Sequence, residues 1–264
     1  MLMAVKNQIR VSILSIKYAL QREMLNKTTF ITNVIFMILN NASFIVQWVV
    51  LFSIRDNIAG YHLKQVLLLW GLASGVYGVA HFFFKNSFSL SDTINSGKLD
   101  VFLVQPKNVL LSSTTSSVEP SALGDILYAY IILIIVKAGP LTYLLWTLLI
   151  MCGGLIIASF AVLAGSLSFW LKKSDIIADK VNSLSTNFAT YPDGIFKGVT
   201  KILLYTIIPV GFANYIPLKI LLKFNPLLLA LVLGYTALCI FLAFLVFNKG
   251  LKKYSSTNLM NVRV

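Results

Sequence analysis

Long apolar runs separated by short polar stretches set the pattern of this chain. At 28–54, 65–84, 121–136, 141–171, 198–215 and 227–247 the apolar residues crowd together. They follow neither the period of a half-buried helix nor the alternation of a strand. A bilayer core of about 30 Å takes about 20 apolar residues per helix. The pattern therefore predicts an all-α, polytopic membrane protein with six transmembrane helices. The third run is short and contains Asp125, and the KAGP turn at 137–140 makes a tight hairpin into the fourth. Six crossings place both termini on the same side.

The segments between the runs have patterns of their own. Over 5–24, Val5, Ile9, Ile13, Ile16, Leu20 and Met24 fall within about 100° on a helix, with Lys6, Arg10, Lys17 and Gln21 on the adjacent polar side. Such a helix lies in the membrane interface, its cations near anionic headgroups. The chain divides into this helical unit, 1–27, and a six-span unit, 28–264. The 85–120 stretch is polar and too long for a simple connection. Ser87 or Ser89 caps a short helix there that ends near Gly97, a residue suited to a left-handed C-cap, and Pro106 closes the apolar turn that follows. A short cytosolic helix of this kind offers a handle to another protein. Residues 210–226 are too apolar for a solvated loop and too broken by Pro217 and Pro226 for a span. They predict a re-entrant or interfacial hairpin on the outer face, with Pro209 kinking the fifth span before it.

Composition agrees: 58% of residues are hydrophobic and 12% charged, against about 25% charged in soluble domains. The net charge of +13 would suggest nucleic acid in a soluble chain. Here its placement reports topology. The N-terminal arm, the 85–120 loop, the 172–201 segment and the C-terminal tail hold all but Arg55, Lys64, Lys137, Lys219 and Lys223 of the 22 basic residues. The positive-inside rule makes that side cytosolic, with both termini on it, and nucleic acid drops out as a partner. Lys6, Arg10, Lys17, Arg22 and Lys27 interrupt every candidate signal core in the first 27 residues. Cys152 and Cys239 fall inside spans and predict buried thiols, not a disulfide.

Candidate chemistry is sparse. Asn33, Asn40 and Gln47 are spaced by seven on the first span and share a stripe, which serves either helix–helix hydrogen bonds or a wet pathway. Gly71, Gly75 and Gly78, and Gly154, Ala158, Ala161 and Gly165, make small-residue faces for close helix packing. His62 and His81 belong to opposite sides, so no metal site forms between them. No G-x-x-x-x-G-K-[ST] phosphate loop occurs, so the chain is not expected to be an enzyme. Asp125 is the lone intramembrane acid and is expected to cap a helix or sit at an interface. Paired acids and an inverted repeat, which an ion-coupled carrier would want, are absent from the sequence. An ATP-independent carrier or channel, and a membrane-embedded sensor or scaffold, remain as alternatives to an ATP-driven transporter.

Four stretches carry a resemblance: INSGKLDVFLVQP at 94–106, YPDGIFKG at 191–198, TIIPVGFANYIP at 206–217 and GLKKYSS at 250–256. In this order they resemble the type-2 ATP-binding-cassette (ABC) exporter permeases, in particular a six-span branch of bacterial export systems. Gln105 stands where that family commonly has Arg. The resemblance implies that 1–27 is an interfacial elbow helix and 28–264 the permease domain. It implies a coupling helix at about Ser87–Ser96 that docks on a separate ATPase, with Ser87, Asp92, Gly97, Lys98 and Asp100 at that contact. It also implies an outer re-entrant hairpin containing Pro209 and Pro217, and a pathway formed with a second permease, the same or homologous; the Asn33, Asn40 and Gln47 stripe would serve that pathway or the interface between the permeases. ATP and Mg²⁺ would sit on the partner ATPase, with no cofactor on this chain. The implied setting is a bacterial cytoplasmic membrane, crossed several times among its lipids.

Overall fold

The computed structural model of the chain describes residues 2–171 and 175–255. Lys172, Lys173, the side chain of Val5, Ser256 of the GLKKYSS stretch and the remaining C-terminal residues lie outside the described residues. The described chain is all-helical, with four helices long and apolar enough to cross a membrane, or five if one bent pair counts as a single span. The four are α2 (Lys27–Ile54), α3 (Leu63–Phe84), α8 (Pro140–Ser166) and α12 (Pro226–Leu251). A shorter apolar helix, α7 (Ser121–Ile135), precedes α8. The protein is an integral membrane protein.

Local chemistry sets several helix ends. Asn26 accepts the Thr29 amide at 3.1 Å to start α2, and Asn225 accepts the Leu227 amide at 2.9 Å just before Pro226. The turn into α8 forms as expected. Lys137 adopts φ 53°, the Ala138 amide returns to the Leu133 carbonyl at 3.0 Å, and Pro140 opens the helix.

α3 is the centre of the bundle, packed between α7 and α8, while α2 leans on α7 and α12 on α8. The small-residue faces do what their spacing predicts. A Cβ at Gly71 would lie 3.0 Å from Cβ of Ile132, one at Gly75 would lie 3.0 Å from Ala129, and one at Gly154 would overlap Val79. Leu69, Leu72, Val76, Ile132, Trp146 and Leu149 are fully buried in this core. α2 differs: of its 28 residues, Asn41, Trp48 and Phe52 are buried, and most of its length is bare.

The expected fifth span, 198–215, is not one helix. It is α10 (Gly198–Thr206), then a break holding Pro209, then a π-helical turn (Gly211–Tyr215) running into α11 (Ile216–Leu222), with the two halves at 79°. Pro217 does not break this second half. It sits buried at the start of α11, where its missing N–H is accommodated just after the widened turn. The placement of 172–201 also needs correction. α9 (Asp175–Ala189) touches the end of the bundle near residues 90–95 and runs along α3 and α8 to the opposite end. There Tyr61, between α2 and α3, donates to Asp193 at 2.6 Å. Residues 191–197 therefore lie at the Tyr61 end, not at the 85–120 end. α9 escapes a search for apolar runs because Asp179, Lys180, Asn182, Ser183 and Thr186 dilute it.

At the other end the 85–120 loop is tightly folded. It contains α4 (Leu90–Asn95), α5 (Asp100–Leu103) and α6 (Val109–Thr114). Leu90, Ile94 and Leu99 form a second small core with Val162 of α8 and Phe247 of α12. The N-terminal helix, α1 (Leu2–Glu23), presents three faces. Gln8, Ser12 and Ala19 turn toward the protein, and Gln8 accepts the Asn108 amide at 2.9 Å. Ile9 and Ile13 of the apolar stripe are exposed, and Lys6, Arg10 and Lys17 line its far edge.

Candidate functional site

A cavity of about 620 Å³ opens between α2, α3, the start of α7 and the end of α9. Asn40 and Gln47 line it, while Asn33 is exposed farther along α2 and does not. The seven-residue stripe is thus divided. Its missing member is Asn41, one position off the stripe and buried, whose amide donates to the Asp125 carboxylate at 2.7 Å. Ser74 of α3 donates to the Asp125 carbonyl at 2.9 Å and to the same carboxylate at 3.2 Å. Gly124 explains the contact. A Cβ there would lie 2.5 Å from the Val34 carbonyl oxygen and 2.8 Å from Cβ of Met37, so α7 presses directly on the α2 backbone. Asp125 caps nothing; it is a lining residue that ties three helices together. The signal for Asn41 was the second Asn of a pair in an otherwise apolar run.

The cavity has an aromatic wall and two unlike ends. Phe44 and Trp70 stack at 5.1 Å, and Trp48 meets Tyr191 edge-on at 6.2 Å. Toward the 85–120 loop, Glu119 pairs with Lys85 at 2.6 Å, and His81 stacks on Phe88 at 3.9 Å. His62 stands at the opposite end of α3. Thr186, Asn187 and Thr190 of α9 complete the lining. The walls offer amides, hydroxyls, rings and carboxylates, which suits binding and passage of a solute.

Beyond the cavity at the Tyr61 end sits a second polar cluster. Asp193, 6% exposed, accepts from Tyr61 at 2.6 Å and from Tyr205 at 3.3 Å. Lys219 and Lys201 lie 3.4 Å and 3.6 Å from it. Burial pushes the Asp193 carboxyl up, but the Tyr61 hydroxyl and the two lysines outweigh burial and hold it below the usual carboxylate range. Burial and the Asp193 charge together raise the Tyr61 phenol. Next to it, any Cβ on Gly194 would overlap the Ala59 carbonyl, so the YPDG stretch packs flat against the α2–α3 turn. This cluster was not anticipated, although Asp193 lies inside a stretch singled out from the sequence.

The residues expected at an ATPase contact lie together at the other end. Gly97 adopts φ 75° after α4, as its C-cap role requires, and its amide donates to the Ile94 carbonyl at 3.3 Å. Asp92 and Lys98 are exposed and pair at 3.1 Å. Asp100 accepts from Tyr254 at 2.8 Å, joining the loop to the chain beyond α12. Neither serine caps α4 with its side chain. Ser87 is buried in a 3₁₀ turn, and Ser89 at the N-cap position makes no capping bond.

The family model described as "ABC-2 family transporter protein" matches residues 37–258. No curated protein and no solved structure matches the chain.

Proposed function

Because the chain belongs to the ABC-2 family of transporter proteins, we propose that it is the transmembrane permease subunit of an ATP-driven exporter. It is a membrane transport component and not itself a catalytic enzyme, and its family associates with ABC ATPases. The finer reading is that separate ATPase subunits, holding ATP and Mg²⁺, power it, and that a second permease, the same or homologous, shares its pathway. The observation that carries this reading is the polar cavity beside α2, whose outer surface is left bare of protein. A helix that flanks a wet cavity and exposes most of its length suits a seam between two subunits.

The path through the membrane keeps six crossings, α2, α3, α7, α8, α9 and α12, with α10 and α11 as a re-entrant pair at the outer face. α7 and α9, 15 residues each and about 22 Å long at 1.5 Å per residue, are the short crossings, and both border the cavity. Such polar or short helices are tolerated where they face a water-filled space and not lipid. The helix 1–27 is the interfacial elbow and 28–264 the permease domain, with both termini in the cytosol of a bacterial cell and lipids around the spans.

α4 serves as the coupling helix. ATP binding would close the ATPases against Asp92, Lys98 and Gly97. The Leu90–Ile94 core then carries the movement into α8 and α12, which changes access to the cavity. The chain expressed with its ATPase should co-purify with it and reconstitute substrate-stimulated ATP turnover, whereas the chain alone should turn over none. Sustained turnover by the rigorously purified single chain would overturn the assignment.

A further inference from the structure

The two carboxylates of the cavity are neutralised differently. Glu119 has a cation of its own, Lys85 at 2.6 Å. Asp125 has an amide and a hydroxyl, which donate hydrogen bonds but bring no charge. Among the described residues no Lys or Arg lines the cavity. A carboxylate drawn out of water needs either a counter-charge or a proton. The same cavity is lined by Phe44, Trp48, Trp70 and Tyr77, whose ring faces attract cations and accept apolar surface. The volume, about 620 Å³, falls within the ~300–1,000 Å³ range of small-molecule sites.

We propose that this cavity binds an amphiphilic organic cation, with the Asp125 carboxylate as its counter-charge and the Phe44–Trp70 stack as its apolar wall. The inference rests on the permease reading and names the substrate class for the same site. Asn41 and Ser74 act as positioning residues, fixing one carboxylate oxygen so that the group keeps its place when the cation leaves. Asn40 and Gln47 supply hydrogen bonds to whatever polar group the cation carries.

The test uses two ions of matched shape and opposite charge, tetraphenylphosphonium and tetraphenylborate, measured by equilibrium binding to the full chain in lipid nanodiscs against empty discs. Wild type should bind the phosphonium saturably and the borate no better than the blank. Asp125→Asn should lower phosphonium affinity tenfold or more, Asp125→Glu should keep it within about threefold, and Asn33→Ala, outside the cavity, should leave it unchanged. The wild-type comparison of the two ions stands even if an Asp125 variant fails to fold. Equal binding of both ions, or an unchanged affinity in a folded Asp125→Asn, would overturn the proposal. Assembly with the ATPase is scored on the same preparations. A chain that assembles and stimulates turnover but discriminates neither ion removes the cation inference and leaves the permease reading. A chain that binds the phosphonium through Asp125 but assembles with no ATPase does the reverse.

Discussion

Asp193 shows how much a single carboxylate can hold when four groups converge on it. Its partners come from the α2–α3 turn, from α10 and from α11, so removing the charge weakens its hold on all three at once. Asp193→Asn should cost about 1–3 kcal/mol, read as a lowered unfolding temperature in detergent. The pH dependence follows from the direction of the shift. A carboxyl held below its unfolded value of about 4 stabilises the fold at every pH above that value and loses the contribution as pH falls through the folded value. The gap between wild type and Asp193→Asn should therefore stay constant from about pH 7 to pH 5 and close below about pH 4. Gly97 is the second such residue. Its φ of 75° lies where a β-branched side chain is strained. Gly97→Val should cut transport and ATPase stimulation several-fold while membrane insertion, followed by protease protection, is unchanged. Gly97 could be read from the sequence because its role is local, a turn after a short helix. The roles of Asp193 and Asn41 could not, since Asp193 takes its meaning from a residue 132 positions away and Asn41 from one 84 positions away.

At the scale of elements, hydrophobicity marked the long apolar helices and misplaced the polar one that lines the cavity. α2, α3, α8 and α12 match their runs to within about five residues, because α2 and α12 are bare along most of their length and α3 and α8 are buried among apolar neighbours, and both settings demand apolar side chains. α9 lines the cavity through Thr186 and Asn187, so it can be polar, and the apolar run after it is a bent pair at one end of the bundle. The two arrangements are distinguished by Lys197, which is exposed just before α10. A Lys197→Cys variant should react with an impermeant maleimide added outside intact cells, and a Ser116→Cys variant, in the 85–120 loop, should not. Native Cys152 and Cys239 are both buried and should give little background. Labelling of position 197 from the cytosol alone would restore the original fifth span. α1 makes the same point in reverse: its apolar stripe was legible, but the Gln8, Ser12, Ala19 face that seats it on α6 is too polar to stand out as a packing surface.

Across the whole molecule, one continuous body connects the 85–120 loop to the Tyr61 end. α4 packs on α8, the Tyr254 hydroxyl holds Asp100, and α12 reaches the far end, where Phe212 stacks on Tyr235 at 3.9 Å. On the proposed mechanism this is the route by which a push on the loop would reach the bent pair. On the proposed coupling, the exposed Asp92–Lys98 pair would face the ATPase. Asp92→Lys should weaken assembly with the ATPase, more at 20 mM than at 300 mM salt, where screening shortens the reach of surface charge to within about 6 Å. Pull-down yields across a salt series would show it. The polarity of α9 has a consequence for how the protein is made. A translocon charges about 2.5–3.5 kcal/mol for each Asp or Lys at the centre of a segment, and α9 carries Asp179 and Lys180 side by side. On the proposed six-crossing path, α9 would partition poorly into lipid by itself on leaving the ribosome. It would then wait at the bilayer surface until α3 and α8 offer a lined trench, so the orientation of everything after it would be decided late, by folding and not by insertion.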